Sequence, residues 1–165
     1  MKLFLYSILF LAAHVCSAQH MVEGKVIRIA DGDSFTLLDA TNKQLKIRLH
    51  GVDCPERGQD FYQVAKSFTS AHLFNKSIRV EVLDKDHYGR FIAKVWLNDS
   101  LSLNLALLQA GLAWHYTAYD KSANFAAAQE MARKQSLHIW SLSNTIAPWE
   151  FRKAKRTKAA QKKAA

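Results

Sequence analysis

Cysteine, proline and glycine are all scarce in this chain: two, two and six among 165 residues. Two cysteines cannot build a disulfide framework or a cysteine-rich zinc site. So few prolines and glycines exclude collagen-like and low-complexity classes. The seven histidines contain no His-Glu-x-x-His pair and no other spacing that suggests zinc. Beyond a short stretch at the N-terminus, no segment is long and apolar enough to cross a bilayer, which takes about 20 residues. The composition is that of an ordinary globular protein, 49% hydrophobic and 22% charged. A chain of about this length forms one domain and buries roughly 70% of the surface it exposes when unfolded.

The formal net charge is +9, but it is unevenly spread. Seven of the 23 basic residues fall in the last fifteen positions: Arg152, Lys153, Lys155, Arg156, Lys158, Lys162 and Lys163. Without them, 16 basic residues face 14 acidic ones, so the body is nearly neutral. Any basic groove must then come from local arrangement. The tail over residues 153–165 offers a salt-sensitive surface for nucleic acid, with an anionic membrane or cell wall as the competing partner.

At the other end, Lys2 precedes a largely apolar run from Leu3 to Ala13, followed by Cys16-Ser17-Ala18. A basic start, a short apolar stretch and small residues at the boundary read as a signal peptide over residues 1–18, cleaved after Ala18. An uncleaved anchor is the alternative, opposed by the shortness of the run. The expected location is secreted or periplasmic. Cleavage leaves one cysteine, Cys54, whose expected state is burial.

The domain expected over residues 19–152 begins with three strands. An apolar-rich run from Val22 to Ala30 reaches the turn Asp31-Gly32 and resumes at Phe35 to Leu38, a hairpin. Leu45, Ile47 and Leu49 then alternate with Lys46, Arg48 and His50, so the two sets face opposite sides of a sheet. Helical spacing follows at Phe61, Val64, Ala65, Phe68 and Ala71. Two further strands are predicted around Ile78–Val82 and Phe91–Leu97, and helices over Leu101–Ala110 and Ser122–Gln135. Gly111 reads as the C′ glycine of the former and Ser122 as the N-cap of the latter. The expected class is α+β: a five-stranded OB-fold β-barrel with three helices, an architecture that commonly binds oligonucleotides. The Lys/Ala-rich stretch from Phe151 onward reads as a fraying end or a helix extension.

Acidic residues gather at two turns: Asp31 and Asp33 after the first strand, Asp53 and Glu56 after the third. In a meander those two strands run the same way, so their exits lie at one end of the sheet. Carboxylates and a main-chain carbonyl brought together there suit a hard divalent cation. A phosphodiester repels hydroxide, and a protein overcomes this with a cation, with guanidinium forks and with a carboxylate that handles the attacking water. Asp33 and Asp53 fit the first role, Arg48 and Arg90 the second, Glu56 the third. Each piece alone reads as a turn, a helix start or a solvated strand residue; their joint occurrence is what carries information. The stretch Asp84 to Gly89 imitates the start of an EF-hand loop, but Val95 stands where the bidentate Glu belongs.

Three motifs in register, Asp31-Gly32-Asp33-Ser34, Arg48 through Glu56, and Asp86-His87-Tyr88-Gly89-Arg90, resemble the staphylococcal nuclease (thermonuclease) family. The resemblance continues through Gln109 to Ala113, Ile139-Trp140-Ser141 and Pro148-Trp149-Glu150-Phe151-Arg152. It implies a calcium-dependent endonuclease acting on DNA and RNA and leaving 3′-phosphate ends. By motif position it implies Asp33 and Asp53 as Ca²⁺ ligands, with Cys54 contributing its main-chain carbonyl. It also implies Glu56 at the attacking water and Arg48 and Arg90 at the phosphate. His87 and Tyr88 fall on the substrate side. Tyr88, Trp114, Tyr116 and Tyr119 are candidates to stack on bases, core packing being the favoured alternative for Trp114. Ser34 stands in place of the usual Thr, and His87 where Lys or Arg is common. No stable protein partner is implied, and a monomer is the default. The rival readings are a non-catalytic nucleic-acid-binding OB module, which has no need of an acidic pocket, and a structural calcium binder, which leaves both arginines unexplained.

Overall fold

The computed structural model describes residues 20–164. The leader expected over residues 1–18, with Cys16, lies outside the described residues. In chain order the elements are β1 (His20–Asp31), β2 (Ser34–Leu38), β3 (Gln44–Leu49), β4 (Val52–Asp53) and helix α1 (Tyr62–Leu73). There follow β5 (Ser77–Lys85), β6 (Phe91–Val95), α2 (Leu103–Gln109), β7 (Trp114–His115) and α3 (Ala123–Lys134). A short 3-10 turn (His138–Ser141) then leads to α4 (Pro148–Ala164).

Five strands close into a barrel in the order β1-β2-β3-β6-β5. β1, β2 and β3 form the expected antiparallel meander, and β5 pairs antiparallel with both β1 and β6. Closure comes from a parallel contact between β3 and β6, which sets Arg48 beside Ile92. The alternation in β3 does what its period requires: Leu45, Ile47 and Leu49 are buried while Gln44 and Lys46 are exposed. These leucines and isoleucine pack with Val26, Phe35, Leu37, Val80, Ala93 and Val95 inside the barrel, and Leu73, Leu103 and Leu107 extend that core under the helices. The carboxamide of buried Asn104 ties helix to barrel: its Oδ1 accepts from Val95 N–H at 3.1 Å and its Nδ2 donates to His50 O at 2.8 Å.

Gly111 occupies the C′ position of α2 with φ 64°, and a Cβ there would lie 2.5 Å from the carbonyl oxygen of Leu137. The site is thus glycine for both conformation and space. Ser122 is the N-cap residue of α3 by position, but its side chain does not cap the helix; the hydroxyl donates to Asp120 instead. The short pair β4–β7 was not expected and ties the turn after β3 to the chain between α2 and α3.

The expected three helices are joined by a fourth. Pro148 supplies a pre-set first turn, Glu150 sits favourably near the positive end of the helix dipole, and the Lys- and Ala-rich remainder has high helix propensity. Instead of fraying at Phe151, the chain is helical to Ala164.

Candidate active site

The two acidic turns meet as the meander requires. The main-chain N–H of Leu49 donates to Asp33 O at 2.8 Å, and that of Cys54 donates to Asp33 Oδ2 at 2.7 Å. Gly32 permits this approach, because a Cβ there would come within 2.9 Å of the Cβ atoms of both Cys54 and Ala65. Asp33 and Asp53 are buried, at 3% and 1% exposure. Ser34 keeps a hydroxyl on Asp33, with Oγ 3.1 Å from Oδ1.

Arg48 lies between these carboxylates. One terminal nitrogen pairs with Asp33 Oδ1 and the other donates to Asp53 Oδ1 at 2.6 Å. Burial alone would lower the pKa of this guanidinium, but the charges of Asp33 and Asp53 outweigh it and hold the proton more firmly than usual. A second guanidinium, Arg152 of α4, shares Asp53 with Arg48. It donates to Asp53 Oδ1 and Oδ2 at 3.1 and 2.8 Å and to Glu56 Oε1 at 2.7 Å. Burial opposes its charge too, and the hydrogen bonds to Asp53 and Glu56 prevail. The result is one alternating chain of charge, Asp33–Arg48–Asp53–Arg152–Glu56.

Across the cleft, the Asp86 carboxylate organises a turn. Its Oδ1 accepts from the N–H groups of Tyr88 and Arg90, both at 2.9 Å, and its Oδ2 accepts from Arg90 Nε at 2.7 Å. The terminal nitrogens of Arg90 make no hydrogen bond among the described residues. Tyr88 is 71% exposed, with the His87 ring 3.8 Å from its own by centroid. On the opposite rim, Tyr119 meets Tyr116 edge-on at 4.9 Å, and Trp149 lies parallel to Tyr116 at 4.9 Å.

These groups share one open cleft of about 1060 Å³. Asp33, Arg48, Cys54, Glu56, His87, Tyr88, Arg90, Tyr116 and Tyr119 all line it. Asp53 does not; it lies beneath the cleft floor, held by the two arginines. Trp114 is buried on β7 against Trp140, away from the cleft, as its packing alternative requires. The residues that sequence reasoning overlooked as site members are Trp149, Arg152 and Arg156. Their spacing of three and four along a helix opened by Pro148 puts them on one face, but nothing local says where that face docks.

Among the described residues, no group of three or more His, Cys, Asp or Glu side chains could hold a metal ion. Cation binding would therefore draw on Asp33, Asp53, main-chain oxygen and water. Burial, helped by the charge of Asp33, pushes the Cys54 thiol well up, so that sulfur stays protonated and offers no thiolate. The donor set is oxygen only, the type a hard divalent cation that keeps part of its water takes, although arginines already pair with both buried carboxylates.

The family model described as Staphylococcal nuclease homologue matches residues 46–142. The chain belongs to the staphylococcal nuclease family. It is 34% identical over 129 residues to an uncharacterized endonuclease of Haemophilus influenzae, covering 78% of this chain and 72% of that protein. It is 32% identical over 142 residues to a micrococcal nuclease of Shigella flexneri, covering 79% and 80%. A staphylococcal-like nuclease of Arabidopsis thaliana is 36% identical over 123 residues, 74% of this chain but 38% of its own length. In this staphylococcal nuclease homologue, Arg48, Asp53, Glu56 and Arg90 fall within the matched stretch, whereas Asp33, Trp149 and Arg152 lie outside it.

Proposed function

We propose that this protein is an exported, calcium-dependent endonuclease that hydrolyses phosphodiesters of DNA and RNA to 3′-phosphate products. The nuclease part rests on the family and on relatives named as endonucleases and nucleases. The observation that carries the chemistry is the convergence of Asp33, Asp53 and Glu56 with Arg48 and Arg90 around one cleft. A binding module gains nothing by putting buried carboxylates opposite a polyanion.

In this reading Asp33 and Asp53, with the Cys54 carbonyl, would hold the cation, which when bound neutralises and orients the scissile phosphate. Arg90, its Nε fixed by Asp86 and its terminal nitrogens without a hydrogen-bond partner among the described residues, presents a ready fork to phosphate oxygens. Arg48, which lines the same cleft, stabilises charge building on the pentacoordinate phosphorus. Glu56 has one oxygen on Arg152, leaving Oε2 to position and deprotonate the attacking water. His87, Tyr88, Tyr116 and Tyr119 line the flanks where bases would stack.

The test is digestion of DNA and of RNA with Ca²⁺ and with a chelator, followed by end analysis. Cleavage that needs Ca²⁺ and leaves 3′-phosphates is expected; intact substrates in ample Ca²⁺ would overturn the reading. Export is tested separately by mass spectrometry of protein recovered outside the cytoplasm, whose first residue should be Gln19.

A further inference from the structure

Arg152 comes from α4, outside residues 46–142 that match the family, yet it grips two of the three carboxylates on which the proposed chemistry depends. Its placement is deliberate in physical terms. The Trp149 indole lies within 5° of parallel to the Tyr116 ring, and Ala147 is buried just before the helix begins. Trp149 and Arg152 are three residues apart and share a helix face, so the stack aims the guanidinium at the cleft.

The arrangement leaves Asp53 fully engaged. Its Oδ1 accepts from Arg48 at 2.6 Å and from Arg152 at 3.1 Å, and its Oδ2 accepts from Arg152 at 2.8 Å. A divalent cation approaching Asp53 meets a carboxylate already bearing two positive partners, and like charges at such range repel strongly. One partner must yield. Arg48 is the more deeply buried, its side chain 12% exposed and also paired with Asp33. Arg152 is 35% exposed and sits on a long flexible arm, so it can swing without unseating α4.

We infer that Arg152 is a positioning residue and the site's own counter-ion: it competes with the cation for Asp53, and on yielding Asp53 keeps its hold on Glu56. This rests on the proposed cation role of Asp33 and Asp53. Before the cation arrives, Arg152 offsets repulsion among the three carboxylates; afterwards, its remaining bond keeps Glu56 turned toward the water.

The experiment uses the full chain as wild type, Arg152→Gln and Arg152→Lys, with Ca²⁺ titrated by calorimetry and thermal unfolding followed in chelator and in Ca²⁺. Arg152→Gln should bind Ca²⁺ about tenfold or more tighter, because a competing charge is gone. It should melt below wild type in chelator and gain more from Ca²⁺. Arg152→Lys, with charge but no fork, should fall between. In turnover assays, Arg152→Gln should lower kcat with KM for nucleic acid little changed. Equal or weaker Ca²⁺ binding by Arg152→Gln would overturn the inference alone. A raised KM with kcat intact would also overturn it, making Arg152 a phosphate ligand. No Ca²⁺ binding by any of the three would remove the cation role itself, and the inference with it.

Discussion

The indole of Trp149 lies flat on the ring of Tyr116, centroids 4.9 Å apart and planes 5° from parallel. This stack joins the loop after β7 to the first turn of α4 and, with the Arg152 ion pairs, holds that helix at the cleft. Aromatic pairs of this kind contribute about 0.5–1.5 kcal/mol beyond the area they bury. Trp149→Ala should therefore loosen α4 from the barrel rather than unfold the domain. Proteolysis between Pro148 and Lys155 should become faster while the thermal midpoint falls only a few degrees. A cleavage pattern identical to wild type would mean the helix is held elsewhere.

Glu56 and Arg90 both line the cleft but share no partner, so their losses separate cleanly. Glu56→Gln keeps shape and hydrogen bonding but cannot take a proton, and should lower kcat by roughly 10²–10⁴. Arg90→Lys keeps charge but not the fork, and should lower kcat/KM by a similar order. Circular dichroism of both variants should match wild type. Wild-type turnover in either would remove that residue from the chemistry.

Much of this geometry is legible in local pattern. Alternation at Leu45, Ile47 and Leu49 turns Arg48 away from the barrel core, and hairpin logic brings Asp33 and Asp53 to one end of the sheet. Three other features are not legible because they depend on pairings between distant residues. Parallel closure of β3 on β6 and the β4–β7 pair leave no periodic signature. Arg152 sits 99 residues from Asp53, in a Lys/Ala-rich run whose composition suggests a solvated end. Tertiary contacts, the docking of Trp149 and the Arg152 ion pairs, turn that run into part of the site.

Cys54 has a buried side chain and a thiol pushed well up by burial and by Asp33. Only the thiolate reacts at a useful rate. A thiol reagent at about pH 8 should leave Cys54 of the folded protein unlabelled and modify it once the protein is denatured. Rapid labelling without denaturant would show that the turn at residues 53–56 opens readily.

Asp120 gives a pH dependence of known sign. Burial would raise its pKa, but hydrogen bonds from Ser122 and His115 outweigh that and hold it below the usual value of 3.8. Its Oδ1 accepts from Ser122 N–H at 2.8 Å and lies 3.0 Å from His115 Nε2, while His50 Nε2 is 3.4 Å from Oδ2. A depressed folded pKa means stability present above the unfolded pKa, about 3.9, and lost as pH falls through the folded one. Asp120→Asn should thus cost roughly 1–2 kcal/mol at neutral pH. The gap to wild type should shrink below about pH 4. A gap of constant size in urea melts across that range would assign the loss to packing instead of charge.

From Thr157 to Lys162 the helix α4 is exposed, and Lys158 and Lys162 have no protein partner to neutralise them among the described residues. An alanine-rich helix with no large apolar face has little to insert into a bilayer but can lie along a phosphate backbone. Each phosphate contact contributes a slope of about 0.7 in log affinity against log salt for single strands. Removing residues 157–165 deletes three lysines while sparing Arg152 and Arg156. It should therefore lower the salt slope of nucleic-acid binding, measured in chelator, by roughly two units. Turnover at low salt and saturating substrate should be unchanged, since no residue of the cleft is lost. If the truncated chain keeps the full slope, the positive end of α4 faces some other anionic surface, and binding to anionic vesicles by the full chain alone would identify it.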